Sequence, residues 1–578
     1  MTFNTLLEAS LPGRLSQRGE RQCAVVAGII IVAAGCAILY FDWSTARSVN
    51  TGFASLLPTW DSHRYLRCAN YLLDRGGFGT TDLSASCNWR PIYSSIFSTL
   101  TGLGDRDLHV SLMLQAILIG LGLAALFREL LRWLGLLAAV AAFIPLWLYA
   151  TRYGIPNVMT ENSGLMFGSV ALALLIHGAE TKKPWLTFVG MAVLTLALNA
   201  RAGCYFVLPA LILWAGLYNR IPRHNILVTF VVAGLSVAAG FAINFALIDL
   251  NGVPLTESNA NFSTTLYGLA FGGKGWAQAG VDHPGASDAE IYRLAVEEII
   301  RQPAVFIGVL FGALIDCLKS ALGLFGGYIR HLEPLFWALW VAGFAAIAAG
   351  WRDARYALIG AISIGSLLSG PFIFQDAAPR VFAATVPADA TQMGLGVAFL
   401  LALLRRRPVV LGQRPGRIAS AVPAFALALA ALFIAITFAP YTPLRRLAAL
   451  PDLTAPACAE GDRTIVTRLG RETGAFFVVT EGEETRVVPP QASKSVLSRS
   501  ATLGNLANLP APYAFLLTYQ RSAASGDFGF QYLVISTQDL RPLYGKTVRI
   551  CARPDRYLTK DYLWGDVYFA RSVDEVSN

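Results

Sequence analysis

Over its first 440 residues the chain alternates long apolar runs with short polar breaks. The runs fall near 23–41, 108–127, 134–150, 163–178, 185–200, 203–218, 226–248, 303–325, 335–350, 356–374, 388–404 and 418–439. A hydrocarbon core of about 30 Å is crossed by about 20 helical residues, so this pattern predicts a bundle of membrane helices. The run at 303–325 carries Asp316 and Lys319, which are costly at mid-membrane depth. We therefore read it as a re-entrant or interfacial helix. Beyond residue 440 the pattern shortens to runs such as Ala475–Val479, Tyr513–Tyr519, Tyr532–Ile535 and Thr547–Cys551. Their β-branched and aromatic residues, broken by Gly, Pro, Asn and Asp, predict strands of a small sandwich-like domain.

Composition agrees with the pattern. Of 578 residues, 55% are hydrophobic and only 14% charged, where a soluble domain carries about 25% charge. So apolar a chain is neither disordered nor able to solvate the surface of a soluble protein of this size. The net charge is +9, and its basic residues sit in short clusters between the apolar runs. The clusters are Arg14/Arg18/Arg21, Arg128/Arg132, Lys182/Lys183, Arg220/Arg223, Arg352/Arg355 and Arg405–Arg407. Clusters so placed mark cytoplasmic turns and argue against a nucleic-acid partner. The first run, with no trusted cleavage site after it, reads as a retained anchor.

With the N-terminus inside, segments 42–107 and 249–302 fall outside. The later clusters stay inside only if 303–325 does not cross, which leaves about eleven spans plus that helix. The expected architecture is a polytopic all-α bundle over 1–440, with a β-rich extracytoplasmic domain over 441–578.

Cysteine placement is consistent with that topology. Cys23, Cys36, Cys204 and Cys317 lie in or beside apolar runs, whereas Cys68, Cys87, Cys458 and Cys551 fall in segments assigned outside. Oxidising compartments permit disulfides. Chain order suggests Cys68–Cys87 and Cys458–Cys551, although four cysteines allow three connectivities. With no CxxC pair, zinc is the poorer reading.

The chain has no Walker A loop, GxSxG elbow, HExxH or strand-linked GxGxxG, so ATP-driven transport has no support in it. The informative segment is the first outer loop, Pro58-Thr-Trp-Asp-Ser-His-Arg-Tyr65, with Asp61 ahead of a short amphipathic stretch. Asn88-Trp-Arg-Pro-Ile-Tyr93 then leads into the second span. This arrangement resembles the GT-C superfamily of membrane glycosyltransferases, in particular the lipid A aminoarabinose transferase and protein O-mannosyltransferase branch. There an acidic residue in an Asp-Glu-x-x-Tyr-like motif precedes a basic-Pro segment. Ser62 stands where that branch often has a second acid, and Arg90 where the transferase often has Lys.

The resemblance implies a polyprenyl-phosphate sugar donor, an acceptor hydroxyl on a glycan, lipid or protein, and a lipid bilayer as the medium. It implies a catalytic base at Asp61; Tyr65, on the amphipathic stretch that follows, is a candidate for sugar or acceptor binding. A carboxylate there can take the acceptor proton or hold a divalent cation such as Mg or Mn. Glu161, in Thr160-Glu-Asn-Ser163, would assist Asp61 or share such a metal; the helix dipole equally favours an acid at that position. Arg201, in Leu198-Asn-Ala-Arg-Ala-Gly203, looks like the Lys of the transferase's Thr-Lys-Gly segment.

An Arg fork suits a donor phosphate, and Arg90, Arg201, Lys274 and Arg380 are the phosphate candidates. Lys274 lies in Gly272-Gly-Lys-Gly-Trp276, where glycines permit close backbone approach. Tyr267 and Trp276 offer rings for a sugar face, and Asp376, an outer-face acid near Arg380, is a further candidate for sugar or acceptor binding. The expectation is a glycosyltransferase acting at the outer face of a bacterial cytoplasmic membrane. The alternatives are a transporter or flippase of a lipid-linked substrate, and a non-catalytic glycan-assembly subunit.

Overall fold

The computed structural model describes residues 17–45, 61–75, 90–251, 261–321, 332–404, 421–442, 457–469, 473–480, 491–493, 512–521, 528–554 and 566–576. Helices begin where the sequence supplies caps or prolines. Asp107 accepts from the amides of His109 (2.8 Å) and Val110 (3.4 Å) to open Leu108–Leu134. Asn225 opens Ile226–Leu250 in the same way. Pro91 and Pro184 occupy first helical positions, where a missing N–H costs nothing.

Among the described residues, eight helices are long and apolar enough to cross a membrane. They are Leu108–Leu134, Leu136–Gly154, Glu161–Thr181, Ile226–Leu250, Glu333–Gly350, Ala354–Ile373, Val386–Leu404 and Pro423–Tyr441. The apolar helices Ala24–Tyr40, Pro184–Ala200 and Val207–Tyr218 are shorter. This is a membrane protein, and every apolar run read from the sequence contributes a helix.

The run at 303–325 begins as the helix Pro303–Ala321, which follows Asp288–Arg301 across a bend of 106°. Asp316 and Lys319 form an exposed pair 3.7 Å apart on it.

Glu161–Thr181 is the axis of the bundle, buried along nearly its whole length. Close packing around it depends on small residues. A Cβ on Gly168 would strike the carbonyl of Ala384, and one on Gly164 would lie 3.1 Å from the Cβ atoms of Arg201 and Ala383. Glycine at these two positions lets three separate chain segments meet.

The described C-terminal strands form one mixed sheet of seven. Here the expectation needs correcting, because the described residues hold a single sheet and no facing second sheet. The strands are β1 Arg463–Arg468, β2 Thr473–Thr480, β3 Gln491–Ser493, β4 Tyr513–Arg521, β5 Phe528–Ser536, β6 Thr547–Pro554 and β7 Asp566–Glu575. They lie side by side in the order β1-β6-β7-β5-β4-β2-β3. Most neighbours are antiparallel, while β2 with β3 and β5 with β7 run parallel.

Strand periodicity supplies two apolar faces. Val534 and Tyr568 enter a core with Ile465, Leu516 and Ile550. Their chain neighbours Ile535 and Val567 join the helical core together with Tyr513. The helices therefore provide the second layer that a sandwich would have drawn from more strands. Cys458 and Cys551 are joined across 93 residues with Cα atoms 5.5 Å apart, tying the approach to β1 onto β6. Cys68 is also disulfide-bonded; Cys87 lies outside the described residues.

Tyr441, at the end of the last helix, fixes which end of the bundle the sheet meets. Its ring packs on Cys68, Tyr71 and Leu72. Its hydroxyl is 2.7 Å from Ser95 Oγ and 2.8 Å from Asn251 Oδ1. The sheet thus joins the bundle at the end carrying the helix Asp61–Arg75.

Candidate functional site

Asp61 is the first residue of an amphipathic helix whose buried face includes Tyr65, Leu66, Ala69 and Leu72. The Tyr65 ring meets Tyr93 edge-on at 5.3 Å, which fastens this helix to Pro91–Leu103. Ser62 is fully buried, and its hydroxyl donates to Met159 Sδ at 3.2 Å. Asp61 is thereby placed beside the turn that starts Glu161–Thr181, and its side chain stays 48% exposed.

Glu161 is fully buried at that helix start. Arg380 donates from Nε to Glu161 Oε1 at 2.5 Å, and Arg201 Nε lies 3.5 Å from the same oxygen. Thr160 donates to Oε2 at 3.4 Å. One carboxylate therefore holds two guanidinium groups that arrive from different helix connections. Arg380 reaches onward, with Nη2 at 3.8 Å from Asp61 Oδ2.

The Arg380 backbone is fixed as well, since its carbonyl accepts from Tyr149 Oη (3.3 Å) and Arg201 Nε (3.4 Å). Tyr149 directly precedes a π-helical turn at Ala150–Gly154, a feature often found at functional sites. Burial pulls the Arg380 pKa down, but the charge and hydrogen bond of Glu161 more than offset it, so it ends above its usual value. Arg380 stays cationic.

Arg90 closes the other side. It is buried, and it adopts a left-handed backbone (φ 81°) directly before Pro91. The residue before proline is normally extended, so the fold holds a strained backbone at this position. Its charge acts on Tyr65 and Tyr205. Burial, then Asp61, push the Tyr65 phenol up to about 12, with Arg90 and Arg201 pulling the other way. Asp61 and Glu161 are thus gathered with Arg90, Arg201 and Arg380 around Tyr65.

An apolar groove of about 270 Å³ opens next to these charges. Its walls include Gly203 and Tyr205, just past Arg201, and Phe372 and Ile373 on the helix that leads to Arg380. Phe262 and Tyr292 close it from the segment 261–301.

The structure thus brings together Asp61, Tyr65, Arg90, Glu161, Arg201 and Arg380. It sends other candidates elsewhere. Tyr267 is sealed in a small core, stacked on Phe271 at 4.2 Å with its hydroxyl donating to Asp282 at 3.0 Å. No sugar can reach that ring without opening the core. Lys274 and Trp276 are exposed on the turn beyond it. Asp376 ends the helix Ala354–Ala377, and its side chain lies outside the described residues.

The shared-metal idea does not fit this arrangement. Arg380 lies between Asp61 and Glu161, and a cation bridging them would have to displace it. Among the described residues, the group whose spacing could hold a metal is Glu129, His177 and Glu180. There Arg132 already fills the centre.

That second cluster was not visible in the sequence, where Arg132 and Arg355 read as loop charges. Arg132 donates to Glu180 at 2.8 Å and lies 3.3 Å from Glu129 and 3.1 Å from His177 Nδ1. Arg355 pairs with Asp353 at 2.7 Å and lies 3.8 Å from Glu180. Glu180 is 19 residues along the helix from Glu161, or about 28 Å, so this cluster clamps the opposite end of the bundle. Among the site residues, Tyr149 and Met159 escaped the sequence, since nothing local marks either as a site residue, while Tyr93 and Thr160 stood in the quoted motifs without a role.

Compared with family models and with curated proteins, the chain gives no match.

Proposed function

We propose that this protein is a GT-C-like glycosyltransferase that moves a sugar from a polyprenyl-phosphate donor to an acceptor hydroxyl at the extracytoplasmic membrane face. The observation that carries the reading is one buried carboxylate, Glu161, presenting two guanidinium groups beside a half-exposed carboxylate, Asp61, with an apolar groove whose walls include Gly203 and Ile373, on the connections that carry those two arginines. Arg201 and Arg380 suit a phosphate, which a planar guanidinium binds through paired hydrogen bonds. The groove suits the prenyl chain.

Asp61 is the acid accessible enough to meet an acceptor. In the proposed step its carboxylate takes the acceptor hydroxyl proton while the acceptor oxygen bonds to the anomeric carbon. The bond from that carbon to the donor phosphate oxygen breaks, and its electron pair leaves on the phosphate. Arg201, Arg380 and Arg90 offset the charge that develops there. Glu161 positions the two arginines rather than acting as a base. No metal is needed for this balance.

The buried cluster at the other bundle end contains the basic residues that mark cytoplasmic turns, which supports placing Asp61 and the sheet outside. A bacterial cytoplasmic membrane is the proposed setting.

The test is transfer from a radiolabelled lipid-linked sugar by the purified protein in nanodiscs. Asp61→Asn should lower the rate by about 10²-fold or more while the protein stays folded. Full transfer by Asp61→Asn would overturn the reading.

A further inference from the structure

The segment 261–301 forms a small unit of its own, with Tyr267, Ala270, Ala279, Ile291 and Ala295 as its core. Its last helix, Asp288–Arg301, begins at Ser287, whose hydroxyl accepts from the amide of Glu290 at 3.3 Å. At 100° per residue this helix divides into three faces rather than two. Ile291, Ala295 and Glu298 are buried against the small unit. Glu290, Arg293 and Glu297 form an exposed charged face, with Arg293 lying 2.6 Å from Glu297. Between them runs an apolar stripe, Tyr292, Val296 and Ile300, with relative exposures of 39%, 47% and 74%. Its i, i+4, i+8 spacing makes it continuous along two turns.

The connection to the next helix identifies what covers this stripe. At Gln302–Pro303 the chain bends by 106° into Pro303–Ala321, whose exposed side chains include Val305, Ile307 and Phe311. Taken as the re-entrant helix, Pro303–Ala321 dips into lipid, and a predecessor bent away from it by 106° then lies in the plane of the membrane surface. Tyr292 also lines the apolar groove with Gly203 and Phe372, which sets the stripe at the bundle end that holds Arg201 and Arg380.

We infer that Asp288–Arg301 lies in the membrane plane, with Tyr292, Val296 and Ile300 sunk into the interfacial layer of the leaflet on the Asp61 side. The lipid leaflet is the partner of this face, and Glu290, Arg293 and Glu297 remain in water. Such helices bury their apolar face by about 5–10 Å at the headgroup boundary. Because Tyr292 belongs both to the stripe and to the groove wall, the groove opens sideways to that leaflet. The inference concerns membrane contact alone and holds whatever reaction the site performs.

The test uses the full chain in nanodiscs of phosphatidylethanolamine and phosphatidylglycerol. Spin labels are placed singly at Val296→Cys, Ile300→Cys, Arg293→Cys and Glu297→Cys, with Cys23, Cys36, Cys204 and Cys317 replaced by alanine. Collisions with oxygen, which partitions into lipid, should exceed those with a water-soluble nickel chelate several-fold at 296 and 300. The order should reverse at 293 and 297. Equal nickel access at all four positions would overturn the inference, as would shielding of 296 and 300 from both reagents, the signature of a protein partner.

Hydroxyl-radical footprinting of the unmodified chain gives a second readout. Tyr292 and Tyr544 are equally exposed in the protein, at 39% and 38%. In nanodiscs Tyr292 should be labelled several-fold less than Tyr544, and equal labelling of the two would also overturn the inference.

Discussion

Arg380 Nε sits 2.5 Å from Glu161 Oε1, a contact between residues 219 positions apart in the chain. It joins the first turn of the most buried helix to a connection between two others, and Arg201 shares the same oxygen at 3.5 Å. Removing the carboxylate would take from both guanidinium groups the partner they share, leaving Arg201 buried and Arg380 with Asp61 at 3.8 Å. Breaking a buried pair by deleting one partner costs about 3–5 kcal/mol. Glu161→Ala is therefore expected to melt several degrees lower than the parent in detergent. The double variant Glu161→Ala/Arg380→Ala should recover part of that loss, because fewer charges remain unpaired. A double variant no more stable than the single would contradict the pairing.

The Tyr65 phenol provides a pH dependence of known sign. Its folded pKa of about 12 lies above the unfolded value of about 10. Between those values the folded state holds the proton that the unfolded state has lost. Stability from this group is thus complete below about pH 10 and declines as pH rises through about 12. Two pKa units correspond to about 3 kcal/mol. Denaturation midpoints measured from pH 9 to pH 12 should fall less steeply for Tyr65→Phe than for the parent. Identical slopes would show that Tyr65 does not titrate as its surroundings dictate.

At the far end of the same helix, Arg132 supplies the charge that separates Glu129, His177 and Glu180. Arg132→Ala is expected to cost about 3–5 kcal/mol. Arg220, on an exposed turn, should change stability by no more than about 0.5 kcal/mol when replaced by alanine. Thermal melts of the two variants side by side decide the matter, and equal shifts would return Arg132 to the status of a loop charge.

The Cys458–Cys551 bridge closes a loop of 93 residues, and a loop near 100 residues is stabilised by about 4.7 kcal/mol in the chain-entropy account. Cys551→Ser, which removes this bridge and leaves the Cys68 disulfide in place, should make the sheet sensitive to protease while the helical bundle resists. Limited proteolysis of the variant and the parent without reductant, followed by mass mapping, tests this. Cleavage appearing first in the bundle would argue against a local role for the bridge.

Much of the architecture was legible because membrane helices advertise themselves. A span must be long and apolar whatever it packs against, so the runs near 108–127, 163–178 and 226–248 appear directly as helices. The candidate acids and bases were legible for a related reason, since few charges remain once the basic turns are set aside. Tyr267 illustrates the limit. Its sequence setting beside a glycine turn looks like a ligand platform, yet the ring is a core residue because Phe271 and Asp282 lie where the fold puts them.

By itself, the sequence determined that the chain enters a membrane, roughly where its helices run, and that Cys458 and Cys551 belong to one domain. Each follows from hydropathy or from short-range composition. Only the tertiary structure decided that Arg380 and Arg201 converge on Glu161, that Arg132 and Arg355 are buried in ion pairs, and that the strands make one sheet seated on the helices. Those facts depend on contacts between residues tens to hundreds of positions apart. Such contacts are selected by how helices pack around Gly164 and Gly168, a property no local pattern encodes.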